Sequence, residues 1–250
     1  MSNDNITYIQ TKYKNWYIEE LRTQEETEYL KHILEHMIEK YILVFGEDII
    51  LKEDCYIHID SNSECPMLIT NQKLLKIRLV MESSSYWAQL IYQLSHEICH
   101  YAIRQDEGNK TIIKWFEETV CEAMSLYILD YFSETWSQCE LSKINKNYSD
   151  SIRKYFKDIV NVHKESKLLK YINLVELINI ENTCENDRLA RSQERNYLYR
   201  IFKDNPNKIY MVTKYRRYKI SSVMIDFDLW LEDENYDDFI MLLKDVHPKF

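Results

Sequence analysis

Two histidines and a glutamate with the spacing of a metal site stand near the middle of the chain, in the stretch His96-Glu97-Ile98-Cys99-His100. Residues four apart lie on the same face of a helix, so the imidazoles of His96 and His100 can bind one metal ion. Zinc lowers the pKa of a bound water to about 7, and Glu97 is placed to take the proton of that water. This HExxH motif predicts Zn²⁺ as the cofactor and Glu97 as a general base in hydrolysis.

A catalytic zinc site needs a third protein ligand, and the next predicted helix carries candidates. Seventeen residues separate His100 from Glu118, which stands three positions after Trp115, and Glu122 follows four positions later. Between Leu74 and Met124 this pattern resembles the gluzincins, the thermolysin and aminopeptidase N clan of zinc peptidases. The resemblance implies that Glu118 is the third metal ligand and that Glu122 orients a ligating histidine.

The sequence departs from the gluzincin pattern at one position, because Glu117-Glu118 replaces the Asn-Glu pair of the family. Glu117 is therefore an alternative third ligand, and Cys121 would then stand in the place of Glu122. Cys99 lies inside the motif, but we interpret it as a buried packing residue.

A second histidine motif lies in the N-terminal part of the chain, where His32-Ile33-Leu34-Glu35-His36 forms the inverted HxxEH arrangement of the inverzincins. Its chemistry would be the same, with Glu35 as the base. No strand precedes it, and its helix has the pattern of an amphipathic packing helix, so the HExxH motif is preferred.

The oxyanion of peptide hydrolysis needs a further stabilising group, for which the candidates are Tyr197, Tyr199 and His163.

Apolar spacing predicts the elements that position these residues. Helices are expected over residues 23–45, 86–103 and 114–132, and strands over 55–60 and 74–81, with a short apolar run at 67–70. The strand Leu74–Met81 has basic residues on one face, which predicts an edge strand over the active site that a peptide can extend. Residues 151–172, 175–180 and 187–202 are predicted to be helical, 208–213 is a possible strand, and 225–231 can be a helix or a strand.

Composition limits the partners and the compartment. The 250 residues carry a net charge of −9, which argues against a nucleic-acid partner. The basic cluster Lys214–Lys219 is interpreted as a solvated surface segment. No signal peptide and no membrane-spanning apolar stretch is recognised, and the six cysteines form no CxxC pair, so a cytoplasmic protein is expected.

These observations predict an α+β, zincin-like fold in which residues 1–250 form one unit. Residues 1–110 would supply an upper subdomain with the sheet and the active-site helix, and residues 111–250 a helical lower subdomain. The leading hypothesis is a zinc-dependent peptidase, an endopeptidase that acts on a peptide or protein substrate. The alternatives are a catalytically inactive zinc-binding regulatory or interaction protein of a bacterial stress or defence system, and a helix-rich scaffold without metal. The oligomeric state stays open.

Overall fold

One mixed sheet of five short strands is present in the computed structural model, which describes residues 6–71, 73–107, 111–162, 164–166, 168 and 172–248. The strands are β1 (Tyr8–Gln10), β2 (Trp16–Glu19), β3 (Cys55–Ile59), β4 (Met67–Ile69) and β5 (Leu75–Leu79). They are ordered β1-β2-β3-β5-β4, with β2, β3 and β5 parallel and the two outer strands antiparallel to their neighbours. The strands predicted at 55–60 and 74–81 from their alternating residues are confirmed as β3 and β5. Strands β1 and β2 were not predicted.

The register of the sheet places one row of isoleucines in the core. Ile18 pairs with Ile57, which pairs with Ile77, and all three side chains are inaccessible to solvent. The residues that flank these isoleucines along each strand, such as Lys76 and Arg78 beside Ile77, lie on the opposite and half-exposed face. Alternation of this kind arises when one face of a sheet is buried, whatever the position of the strand in the sheet.

The prediction that Leu74–Met81 is an edge strand is therefore wrong. β5 lies between β3 and β4, and the edge beside it is the three-residue strand β4. The basic residues of β5 mark its solvated face and not an unpaired edge. A short edge strand such as β4 offers few free backbone groups for pairing with another chain.

The first long helix, α1 (Gln24–Phe45), connects the parallel strands β2 and β3. A capping box starts it, in which the Thr23 hydroxyl accepts from the backbone N–H of Glu26 and the Glu26 carboxylate accepts from the backbone N–H of Thr23. Gly46 ends it with a φ of 91°, a conformation that glycine adopts without steric cost. After a short helix α2 (Glu47–Ile50), the chain enters β3.

The two helices that carry the predicted site are α3 (Trp87–Glu107) and α4 (Lys114–Thr135). Both extend beyond the predicted ranges at their C-terminal ends, so the HExxH motif lies in the middle of α3. The apolar stripe predicted for α3 is buried throughout; it consists of Trp87, Leu90, Ile91, Leu94, Ile98 and Ala102.

Helices and 3-10 segments make up most of the remaining chain. The α-helices among them are α5 (Tyr148–Asn161), α6 (Leu174–Thr183), α7 (Ser192–Asp204), α8 (Phe227–Asp233) and α9 (Asp238–Lys244). The prediction of a possible strand at 208–213 is wrong, because a 3-10 segment covers Pro206–Tyr218. Residues 225–231, which could have been either, fall mostly in α8.

The chain divides into two compact units, and each combines separate stretches of sequence. The first consists of Met1–Tyr101 and Ile128–Tyr155, and the second of Ala102–Tyr127 and Phe156–Phe250. The three boundaries fall inside α3, α4 and α5, so each of these helices contributes to both units. The α+β class is confirmed, and no helix that the structure describes is long and apolar enough to cross a membrane.

Candidate metal centre

The middle of α3 is held by polar contacts on both sides of the histidines. The Gln93 amide accepts from the backbone N–H of Val80 at 3.0 Å and donates to its carbonyl at 2.8 Å, which ties the helix to the residue that follows β5. One position after His100, the Tyr101 hydroxyl donates to the carbonyl of Glu53 at 2.8 Å and accepts from its N–H at 3.1 Å. These contacts fix the rotation of α3 and hence the direction of the histidine side chains.

His96 and His100 direct their Nε2 atoms to one point, as the four-residue spacing predicted. The two nitrogens are 3.2 Å apart and the ring centroids 4.9 Å. Two nitrogens bound to one tetrahedral zinc ion at 2.0–2.1 Å lie about 3.3 Å apart. His96 is buried whereas His100 is partly exposed, so the pair has the separation of two ligands at a site with one accessible side.

Glu118 is the third residue of a group that could hold a metal ion. One ligand atom from each of His96, His100 and Glu118 lies within 4.8 Å of the other two. Within the part of the chain that the structure describes, this is the one group of three or more such side chains that could hold a metal ion. Two imidazole nitrogens and a carboxylate oxygen are a donor set that zinc accepts, and the same atoms also suit other divalent metals.

Glu97 is buried beside these ligands, with a relative exposure of 3%. No hydrogen bond or ion pair joins its carboxylate to any residue that the structure describes. Buried charges in proteins are normally paired or lie beside a metal. The α4 acids Glu117 and Glu122 each have an arginine partner, whereas a cation bound at the histidines would be the compensating charge for Glu97.

Glu117, the alternative third ligand, forms hydrogen bonds with a buried arginine and a buried tyrosine. Arg216 Nη2 donates to its two carboxylate oxygens at 3.0 and 2.8 Å, and the Tyr215 hydroxyl also donates to it. All three side chains are almost completely buried, and burial followed by the charge of Glu117 raises the pKa of Tyr215 well above its usual range. Of the two adjacent glutamates, the structure therefore brings Glu118 to the histidines.

Glu122 forms a second buried ion pair on α4. Arg191 Nη2 donates to its Oε1 at 2.9 Å, Arg188 Nε lies 4.0 Å from the same oxygen, and both Glu122 and Arg191 are at most 1% exposed. Its role in orienting a ligating histidine stays a prediction. The arginine partners of Glu117 and Glu122 were not predicted, because nothing local in the sequence distinguishes them from surface arginines.

The residues of the inverted HxxEH motif have separate partners. His32 Nε2 lies 3.4 Å from the Glu28 carboxylate, and the Glu35 carboxylate accepts from the backbone N–H of Lys12 at 2.9 Å. His36 Nε2 is 3.1 Å from the Thr135 hydroxyl, and its ring packs on aromatic side chains of α4. These contacts favour the packing interpretation of α1.

The candidates for oxyanion stabilisation are not brought together by the described contacts. The Tyr197 hydroxyl donates to the Asp245 carboxylate at 3.0 Å, and burial together with this hydrogen bond raises its pKa. The Tyr199 ring packs edge-on against Phe156, and His163 lies outside the described residues. Cys99 is completely buried, as its interpretation as a packing residue requires.

Comparison with known proteins adds no relative. No family model matches the chain, and neither curated proteins nor solved structures give a match.

Proposed function

We propose that this chain is a zinc-dependent peptidase with a zincin-like fold and a gluzincin-type site. The observation that supports this most directly is the convergence of His96, His100 and Glu118 within 4.8 Å, next to Glu97 on the same helix as the histidines. The proposal assigns His96, His100 and Glu118 to the metal and makes Glu97 the general base.

The roles of the side chains follow from their surroundings. Zinc, when bound, supplies a Lewis acid that lowers the pKa of water and polarises a carbonyl group. Glu97 carries a carboxylate that no arginine or lysine of the described residues neutralises. It can therefore accept a proton from the attacking water and deliver it to the amine that leaves. The partly exposed His100 and Glu118 form the side from which a peptide would approach.

A single substitution tests the proposal. Glu97→Gln keeps the shape of the side chain and all three metal ligands, and it removes the proton acceptor. We expect this variant to keep one zinc per chain and to lose peptide hydrolysis by about a hundredfold or more. Zinc is measured by elemental analysis, and cleavage of a peptide library by mass spectrometry of new termini. Glu35→Gln, in the HxxEH motif, is the matched control that keeps activity; hydrolysis at the wild-type rate in Glu97→Gln refutes the proposal.

The burial of the site favours a second candidate, a zinc-binding protein without turnover. His96 and Glu97 are each 3% exposed, and a peptide substrate must reach both the metal and the base. Zinc bound to the wild-type chain with no cleavage of any library peptide would select this candidate. Wild-type chain without any bound metal would select the third hypothesis, a helix-rich scaffold.

A further inference from the structure

The basic cluster Lys214–Lys219 is solvated only in part: Arg217 is exposed and the two lysines are partly exposed, but the other three side chains are buried. Tyr215 is completely buried, and Arg216 and Tyr218 are each 6% exposed. The cluster lies at the end of the 3-10 segment Pro206–Tyr218. Burial of an arginine is costly unless its charge is paired, so the partners of these arginines indicate what the segment does.

Arg216 holds the first turn of α4. Its guanidinium donates to both carboxylate oxygens of Glu117, the residue before the proposed ligand Glu118. The adjacent Tyr215 hydroxyl donates to Glu117 as well and accepts from the backbone N–H of Ile113 at 3.2 Å, immediately before the helix. Two adjacent side chains of one segment therefore fix both the start and the rotation of α4.

Arg217, the next residue, holds the last turn of α3. Its Nη2 donates to the two carboxylate oxygens of Asp106 at 2.9 and 2.8 Å. Asp106 follows His100 by six residues on the same helix, about 9 Å along the axis. This pair is more exposed than the first, with 45% of the arginine side chain and 19% of the aspartate accessible.

We propose that Arg216 and Arg217 are positioning residues of the metal centre, because adjacent arginines tie the end of the histidine-bearing helix to the start of the Glu118-bearing helix. The inference rests on the metal-binding part of the proposed function and does not require peptidase activity. In this role both arginines act through the placement of α3 and α4.

The geometry of a metal site makes such placement important. A side chain of α4 reaches about 5–6 Å from the helix axis, so a rotation of 20° moves its tip by about 2 Å. Metal–ligand distances tolerate only about 0.2 Å. A loose first turn of α4 would therefore leave Glu118 present but out of reach of the ion that the histidines bind.

The test measures zinc affinity by competition with a chromophoric chelator. Arg216→Met is expected to weaken zinc binding tenfold or more, as loss of a group that orients a ligand typically does. Arg217→Met, in the more exposed pair, is expected to weaken it by less than about fivefold. The visible absorption of the Co²⁺-substituted protein, which reports ligand geometry, should change in Arg216→Met.

Two further variants separate positioning from stability. Arg195→Met is a matched control, since Arg195 is 3% exposed and its guanidinium donates its hydrogen bonds to the Asn196 side chain and the carbonyl of Ile159; zinc affinity should be unchanged. The double variant Glu117→Gln/Arg216→Met removes both buried charges, so it should regain stability while zinc binding stays weakened.

Two outcomes would overturn the inference. Wild-type zinc affinity and an unchanged cobalt spectrum in both Arg216→Met and the double variant refute it and leave the metal centre intact. Absence of zinc binding in the wild-type chain refutes the proposed metal centre together with this inference.

Discussion

The Nε2 atoms of His96 and His100 lie 3.2 Å apart on one face of α3. The histidines of the competing motif are used differently, because His32 faces the Glu28 carboxylate and His36 faces the Thr135 hydroxyl. Equal spacing in sequence therefore leads to different surroundings. The first pair has the separation of two ligands of one ion, and the second pair takes part in packing of α1.

This difference predicts which histidines bind metal. His96→Ala and His100→Ala should each reduce zinc from one ion per chain to a small fraction of that, because two remaining ligands do not hold zinc tightly. His32→Ala should keep the full content. Elemental analysis after gel filtration measures all three variants. Zinc lost from His32→Ala and retained in His96→Ala would instead select the HxxEH motif.

The adjacent glutamates of α4 predict two separable defects. Glu118→Gln should lose zinc and keep the stability of the metal-free chain, since Glu118 is partly exposed. Glu117→Gln should lower the free energy of unfolding by about 3 kcal/mol, because it removes the carboxylate that compensates the buried charge of Arg216. Urea unfolding in the presence of a chelator measures the second effect. The reverse assignment, with zinc lost only from Glu117→Gln, would contradict the ligand choice.

The buried pair between Glu122 and Arg191 predicts a stability defect of similar size. Glu122→Gln should destabilise the metal-free protein by about 3 kcal/mol, as it leaves Arg191 charged and without its acid. Zinc affinity of the same variant tests the role that the gluzincin resemblance implies. A loss of tenfold or more would support Glu122 as the acid that orients a histidine, and an unchanged affinity would assign it to the ion pair alone.

The burial of His36 predicts a pH-dependent contribution to stability. Desolvation lowers the pKa of His36, with Glu39 opposing and Lys12 adding to the effect. The unfolded chain therefore takes up the proton first, and stability is lost as the pH falls below the unfolded value of about 6.5 towards the lower folded pKa. Above pH 6.5 this contribution is fully present.

Urea unfolding at pH 7.5 and 5.5, with a chelator present, measures the effect. The wild-type chain should lose more stability on acidification than His36→Gln, and each unit of pKa depression corresponds to about 1.4 kcal/mol. His32→Gln, on the same helix but with a more exposed ring, is the control and should behave like the wild type. An equal loss in wild type and His36→Gln would show that His36 does not titrate as its burial requires.

The sequence by itself determined the features that depend on neighbours within one or two helical turns. The apolar periods identified α1, α3 and α4, with their ends correct to within about four residues. The pairing of His96 with His100 follows from helix geometry alone. Glu118 was expected as the third ligand only through the resemblance to gluzincins, with Glu117 as the alternative.

The tertiary structure decided what depends on distant partners. Glu117 and Glu118 are chemically identical neighbours, and the choice between them depends on Arg216, 99 residues further along the chain. The same long-range contacts bury Tyr215 and Arg216, two residues of a basic cluster that composition assigned to the surface. The position of β5 within the sheet depends on pairing with β3 and β4, which alternation along one strand does not encode. Local patterns specify direction and period, but only packing and charge pairing between distant segments specify which side chains meet.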